Sequence, residues 1–215
     1  MSFDRKSHWE GVYGNKKPTE VSWYQTEPKI SLGLIASTGV DYKAKIIDIG
    51  GGASVLVDKL LDEGFKDLTV LDISSKAIDF AKKRLGKQAK NVMWIEADIT
   101  DFDSSAKYDL WHDRAVFHFL TNGEDRKKYV ECMDGAVNPD GHVIISAFAI
   151  DGPLKCSGLD IERYSPEKMK AEIGDSFELV NSVNEIHVTP SNKEQKFSYF
   201  YFKKVRISYA SDSSL

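Results

Sequence analysis

Beyond Pro28 the chain alternates between short apolar runs and stretches with helical spacing. Ile30 to Thr38 reads as a helix with Ile30, Leu34 and Ile35 on one face, ended by Gly39. Lys45 to Ile49 is a short apolar strand that breaks into Gly50-Gly51-Gly52, and Val55 to Glu63 is helical up to the C-cap glycine Gly64. Leu68 to Ile73 is a second strand, followed by a helix from Ser75 to about Ala89 that Ser74 or Ser75 can cap. Asn91 to Glu96 and Tyr108 to His112 read as the third and fourth strands. A helix from Glu124 to Val137 stops at the turn signal Asn138-Pro139-Asp140-Gly141, and His142 to Phe148 is a fifth strand. A short helix at Pro166 to Ile173 then precedes two strand-like runs, Phe177 to Val188 and Gln195 to Val205. The pattern predicts an α/β fold: a Rossmann-like, doubly wound sheet of seven strands, mostly parallel, with an antiparallel C-terminal hairpin at one edge.

Two stretches fall outside that rhythm. Residues 1–28 place Phe3, Trp9, Tyr13, Trp23 and Tyr24 among charges without a clean period, so these rings are expected to pack on the domain or on a ligand. The segment is expected to be either a strap closing the core or a lid over a site. From Arg206 on, the Ser-rich tail has little to bury and is expected to be disordered, leaving one domain over 1–205.

Composition narrows the function. A length of 215 residues suits one large domain, and the net charge of −4 argues against a wide nucleic-acid-binding face. Only Cys132 and Cys156 are available for disulfides, no run approaches the ~20 apolar residues of a membrane span, and the charged start lacks a signal-peptide core. These features predict a cytoplasmic protein without a membrane or nucleic-acid partner. No C-x-x-C or H-x-x-x-H pair suggests a metal site, and no G-x-S-x-G suggests a serine nucleophile.

The glycine loop is the sharpest signal. A strand ending in Asp48-Ile49-Gly50-Gly51-Gly52-Ala53-Ser54 and re-entering a helix lets a ligand approach the backbone closely, although a tight turn alone would use the same glycines. Asp72 closes the second strand 22 residues beyond Gly50, where an acid can accept from both hydroxyls of a ribose. The third glycine of a dinucleotide fingerprint falls on Val55, and no Walker lysine follows. A phosphate-free adenosine cofactor such as S-adenosylmethionine suits this loop better.

Asp48-x-Gly50-x-Gly52 with Asp72 resembles the class I, seven-strand S-adenosylmethionine-dependent methyltransferases over about residues 30 to 205. The family usually has a third glycine where this chain has Ser54, a small residue able to cap the next helix. The resemblance implies that Gly50 and Gly52, with Gly51 between them, lie against the methionine moiety. It also implies that Asp72 holds the ribose, that Ile73 covers one adenine face, and that Asp98 accepts from the adenine amino group beside the Ile99 N–H. The product would be S-adenosylhomocysteine.

The fourth strand carries the second cluster, Trp111-His112-Asp113-Arg114-Ala115 followed by His118, Arg126 and Tyr129. Ligands of open α/β sheets bind beyond the strand C-termini, so Asp113 and Arg114 are expected near the transferred methyl group. Asp113 is the first choice for a proton acceptor and His112 the second, while Arg114 would steady an anionic substrate or fix Asp113. His118 reads as a weaker candidate, closer to a structural histidine. The stretch is similar to thiopurine methyltransferases, which implies a small thiol acceptor. His8-Trp9-Glu10-x-x-Tyr13 resembles elongation-factor lysine methyltransferases, which implies a protein lysine. A non-catalytic S-adenosylmethionine-binding protein is the third possibility. Trp9, Tyr13 and Trp23 would form the lid that dries the site. The loop Ala149 to Gly158 could help cap the acceptor, with Cys156 as an inert thiol.

Overall fold

Lys45–Ile49 forms β1, and its side chains alternate between two apolar layers. Ile47 and Ile49 join one buried cluster, whereas Ile46 joins another, so both faces of the strand are covered. The computed structural model describes residues 4–205. Phe3 of the N-terminal aromatics and the tail from Arg206 lie outside the described residues.

The sheet has seven strands in the order β3-β2-β1-β4-β5-β9-β8, where β2 is Asp67–Asp72, β3 Val92–Glu96, β4 Tyr108–Arg114, β5 Val137–Phe148, β8 Phe177–Val188 and β9 Glu194–Lys204. The pairs β1/β2, β2/β3, β1/β4 and β4/β5 are parallel; β5/β9 and β8/β9 are antiparallel. One apolar layer takes α2 (Lys29–Thr38) and α3 (Leu56–Glu63), and the other takes α5 (Gly123–Ala136) and α6 (Pro166–Ile173). The order in which strands are added to the sheet reverses between β1 and β4, so the crevice at the C-terminal ends of these two parallel strands is the topological switch point.

Several boundaries differ from the sequence pattern. The helix expected to Ala89 is α4, Ser75–Leu85; it ends where Gly86 takes φ +55° and continues as a 3-10 turn over Gly86–Asn91. Ser74 is its cap, accepting from the Ala77 N–H at 3.2 Å. Asn138-Pro139-Asp140-Gly141 does not end the helix in a free turn. It is drawn into β5 as an irregularity between Tyr108 and Leu110 of the partner strand, with Asp140 at φ +64°. Asp109 fixes it, accepting from Asn138 Nδ2 and from the Lys45 N–H at 2.8 Å each. Within the loop after β5, Lys155–Cys156 and Leu159–Asp160 pair as a small hairpin, β6 and β7.

The aperiodic N-terminus contains a helix, α1, over Arg5–Asn15, capped by Asp4 accepting from the Ser7 N–H at 2.9 Å. Tyr13 is its buried residue, and Trp9 and Val12 on the same face pack beside it in a cluster with Val21, Ala53 and Ala77. Ionic and hydrogen-bonded contacts add to that docking: Arg5 pairs with Asp98 and Asp125, Lys6 with Glu96 at 2.6 Å, and Glu10 accepts from the Ser75 N–H at 2.6 Å.

Alternation along β4 divides the Trp111–Arg114 cluster. Trp111 and Asp113 face α5, where Trp111 Nε1 donates to the Tyr129 hydroxyl at 2.9 Å and that hydroxyl donates to Asp113 Oδ2 at 2.7 Å. His112 points the other way, its Nδ1 2.7 Å from Asp48 Oδ1 and its Nε2 2.9 Å from Ser31 Oγ. Tyr129→Phe should therefore strand both a buried indole N–H and a carboxylate, lowering unfolding stability by about 1–3 kcal/mol in urea denaturation.

Candidate functional site

The loop after β1 has no room for side chains. A Cβ on Gly50 would meet Val116 Cγ2 at 2.1 Å, and its φ of +67° favours glycine besides. A Cβ on Gly51 would meet Asp48 Oδ2 at 2.2 Å, and one on Gly52 would meet Asp72 Oδ2 at 2.7 Å and Ala77 Cβ at 2.8 Å. Ser54 is not part of that close approach; its Oγ accepts from the Leu56 N–H at 3.1 Å and opens α3.

Asp72 fastens the loop to the start of α4. Its Oδ2 accepts from the Gly52 N–H at 3.0 Å and its Oδ1 from the Ser74 N–H at 2.8 Å. Burial pushes its carboxyl up to about 6, although both N–H groups favour the ionised form. Asp48 keeps one buried carboxylate oxygen, Oδ2, without a hydrogen-bond partner.

Above the loop lies a cavity of about 1050 Å³, at the upper end of what small-molecule sites occupy. Gly50, Asp72, Ile73, Asp98 and Ile99 line one end. Arg114, His118, Phe119, Cys156 and Phe197 line the other. Trp9, Tyr13 and Trp23 also line it, with Trp9 edge-on to both Trp23 and Phe119 at 5.7 and 5.0 Å.

Of the acidic groups, Asp98 is already engaged. Its Oδ1 accepts from the Thr100 N–H at 2.9 Å and its Oδ2 from Arg5 Nη1 at 3.3 Å. Arg114 reaches the cavity from β4, held by Nε donating to Tyr199 at 2.9 Å and Nη1 to the Trp23 carbonyl at 2.8 Å. Its guanidinium lies 5.0 Å from the Phe197 ring centre, with Glu185 at 3.7 Å.

Asp113 and His112 are not at the cavity. Asp113 is fully buried and accepts from the Val116 and Phe117 N–H groups and from Tyr129, so it braces the 3-10 turn Phe117–Phe119. That corrects the expectation that either one faces the transferred group, and of the stretch resembling thiol enzymes Arg114 and Ala115 alone line the cavity. His118, the weaker candidate, lies in that turn and lines the cavity, its ring stacking on Phe148 at 4.8 Å. Its only signal was a histidine wedged between Phe117 and Phe119.

A switch-point crevice with a side-chain-free loop, a terminal acid on β2 and no basic residue in residues 50–55 defines a nucleoside site that suits a phosphate-free ligand. The family model described as a methyltransferase domain matches residues 47–143. Among curated proteins, the chain is 28% identical over 124 residues to the eEF1A lysine and N-terminal methyltransferase of Mus musculus, covering 57% of this chain and 18% of that one. It is 26% identical over 151 residues to malonyl-[acyl-carrier protein] O-methyltransferase 2 of Ilyobacter polytropus, covering 65% and 57%. The chain thus spans less than two thirds of the length of these relatives. The crystal structure of the N-methyltransferase NodS from Bradyrhizobium japonicum, in complex with S-adenosylhomocysteine, superposes with a TM-score of 0.71 at 18% identity over 94% of this chain and 100% of that one. Residues 47–143 thus match a methyltransferase domain, and the fold is the one that the S-adenosylhomocysteine-bound NodS structure has.

Gly50→Ala should test the loop's steric demand. Forcing an L side chain to φ +67° against Val116 should cost about 1–3 kcal/mol or more, read as a lowered melting temperature.

Proposed function

We propose that the chain is an active S-adenosylmethionine-dependent methyltransferase whose acceptor is a small molecule bound beneath the N-terminal segment. The observation that carries this reading is one cavity joining the glycine-loop end, with Asp72, to an aromatic end, with Arg114 and His118. When bound, S-adenosylmethionine supplies a methyl group on a positively charged sulfur. Asp72 accepts from the ribose hydroxyls, Ile73 and Ile99 give the adenine apolar walls, and Gly50 and Gly52 let the backbone come close to the amino-acid tail. The free Oδ2 of Asp48 beside the loop suits a cationic group there.

Trp9, Tyr13 and Trp23 serve as a lid that excludes water and offers ring faces to a cation. Methyl transfer needs the acceptor lone pair aligned and desolvated rather than a covalent enzyme intermediate. The roof formed by α1 favours a small acceptor over a lysine presented by a folded protein, which would need an open groove. A cytoplasmic location belongs to this reading, supported by Cys132 and Cys156 both being free thiols. Among the described residues no helix is long and apolar enough to cross a membrane.

Calorimetry with S-adenosylhomocysteine tests the cofactor. Binding should strengthen as pH rises through about 6, because burial holds Asp72 protonated below that value and only the carboxylate accepts from both hydroxyls. Asp72→Asn should bind about 1.5–3 kcal/mol more weakly and lose that pH step. Absence of S-adenosylhomocysteine binding to the wild type would sink the reading.

Limited proteolysis tests the lid. S-adenosylhomocysteine should protect the first 24 residues from cleavage. Arg5→Ala, which removes the contacts to Asp98 and Asp125, should speed cleavage there roughly three- to tenfold. Equal cleavage with and without ligand would make the segment a fixed strap.

A further inference from the structure

Fully buried polar side chains almost always find hydrogen-bond partners, and His118 does not. Both ring nitrogens lack a partner, and the residue lines the acceptor end of the cavity rather than the core alone. Phe148 stacks on one ring face at 4.8 Å and Phe119 lies at 4.4 Å, so the imidazole has a fixed orientation. A second observation concerns charge. The cavity lining carries seven carboxylate residues against three cationic ones; Arg5 and Lys6 pair with Asp98, Asp125 and Glu96, and the lining keeps a net negative charge that favours a cation.

We propose that His118 is the acceptor-binding residue and that the acceptor is a small amine, held by an N–H hydrogen bond to the free imidazole. This rests on the methyltransferase reading above and assigns its acceptor class. Burial, aided by the nearby positive charge of Arg114, pushes His118 down to about 3, so the ring stays neutral and accepts a hydrogen bond rather than a proton. An alcohol or thiol must give up its proton to become a strong nucleophile, and such an imidazole is a poor base for that task. An amine needs no base once it is neutral. It arrives as an ammonium drawn by the acidic lining and sheds its proton to water as it is desolvated beside Arg114. Its lone pair then forms the N–C bond while the donor S–C bond breaks, with that electron pair going to sulfur. The methylated ammonium releases its proton to solvent after leaving.

Benzylamine, benzyl mercaptan and benzyl alcohol share one skeleton and differ in the nucleophile, which makes them suitable probes. Calorimetry on the protein saturated with S-adenosylhomocysteine, at alkaline pH, should show benzylamine binding at least tenfold tighter than the other two. Benzylamine should also shift the 15N resonances of the His118 ring. His118→Phe should weaken benzylamine binding at least tenfold while S-adenosylhomocysteine binding stays within twofold. His118→Gln, which keeps a hydrogen-bond acceptor, should recover part of the loss and serves if the phenylalanine variant does not fold. Benzylamine that fails to bind, binds equally well to both variants, or binds more weakly than the mercaptan overturns the proposal. In those cases intact S-adenosylhomocysteine binding leaves the methyltransferase reading standing. Loss of that binding in the wild type removes both.

Discussion

Three consecutive backbone positions without space for a Cβ are the constraint on which the site depends. Val116, Asp48 and Asp72 each occupy the volume that a side chain on Gly50, Gly51 or Gly52 would need. The three neighbours come from β4 or just beyond it, β1 and β2, so the loop is a meeting point of the strands around the switch point. Asp72 turns that proximity into a fastening, because one carboxylate accepts from the loop and from the N-terminus of α4. The same carboxylate lines the cavity, so the group that holds the loop is also available to a ligand. A change that relaxed the loop would disturb both at once.

The fold was legible because burial on both faces of a parallel sheet leaves continuous apolar runs, and helices between them show a different period. The five parallel strands follow from that signal, and the antiparallel β8 and β9 from two strand-like runs joined only by a loop. The meeting of the glycine loop with Asp72 beside the cavity was legible for a related reason: glycines and a strand-terminal acid are residues whose position along the chain is also their position in space. The acceptor end was not. Trp111, His112, Asp113 and Arg114 are adjacent in sequence, yet strand alternation sends Trp111 and Asp113 to α5 and His112 and Arg114 to the opposite face. Sequence adjacency cannot say which of these ends at a cavity and which at a core hydrogen bond. The N-terminal helix was hidden for another reason: its apolar positions, Trp9, Val12 and Tyr13, span little more than one turn, and the rest of its docking is ionic or hydrogen-bonded.

That ionic docking has a consequence for ligand binding. Arg5 holds Asp98, a residue expected to accept from an adenine amino group, and also holds Asp125 on α5. Half-exposed or rim ion pairs are individually weak, so the contact is one that a ligand can share or replace. The aromatic contacts of Trp9 with Trp23 and Phe119 are independent of it. The segment therefore has two kinds of attachment: a polar edge near Asp98 and an aromatic edge near Phe119.

Asp72 and Asp113 show why a shifted pKa does not by itself identify a functional group. Burial pushes both carboxyls up to about 6. With a folded value above the unfolded one, the stability linked to each is fully present below about pH 4 and is lost as pH rises through about 6. His118 has the opposite sign: its folded value lies below its unfolded value, so its contribution is present above about pH 6.5 and is lost as pH falls towards 3. Two carboxyls with the same shift nonetheless do different work. Asp113 accepts from three donors within the protein and touches no cavity, so its cost supports the turn that carries His118. Asp72 accepts from two N–H groups and still borders open volume. The distinguishing quantity is unused hydrogen-bonding capacity in a residue that lines a cavity, and by that measure His118, with both ring nitrogens unpartnered, stands ahead of either carboxylate.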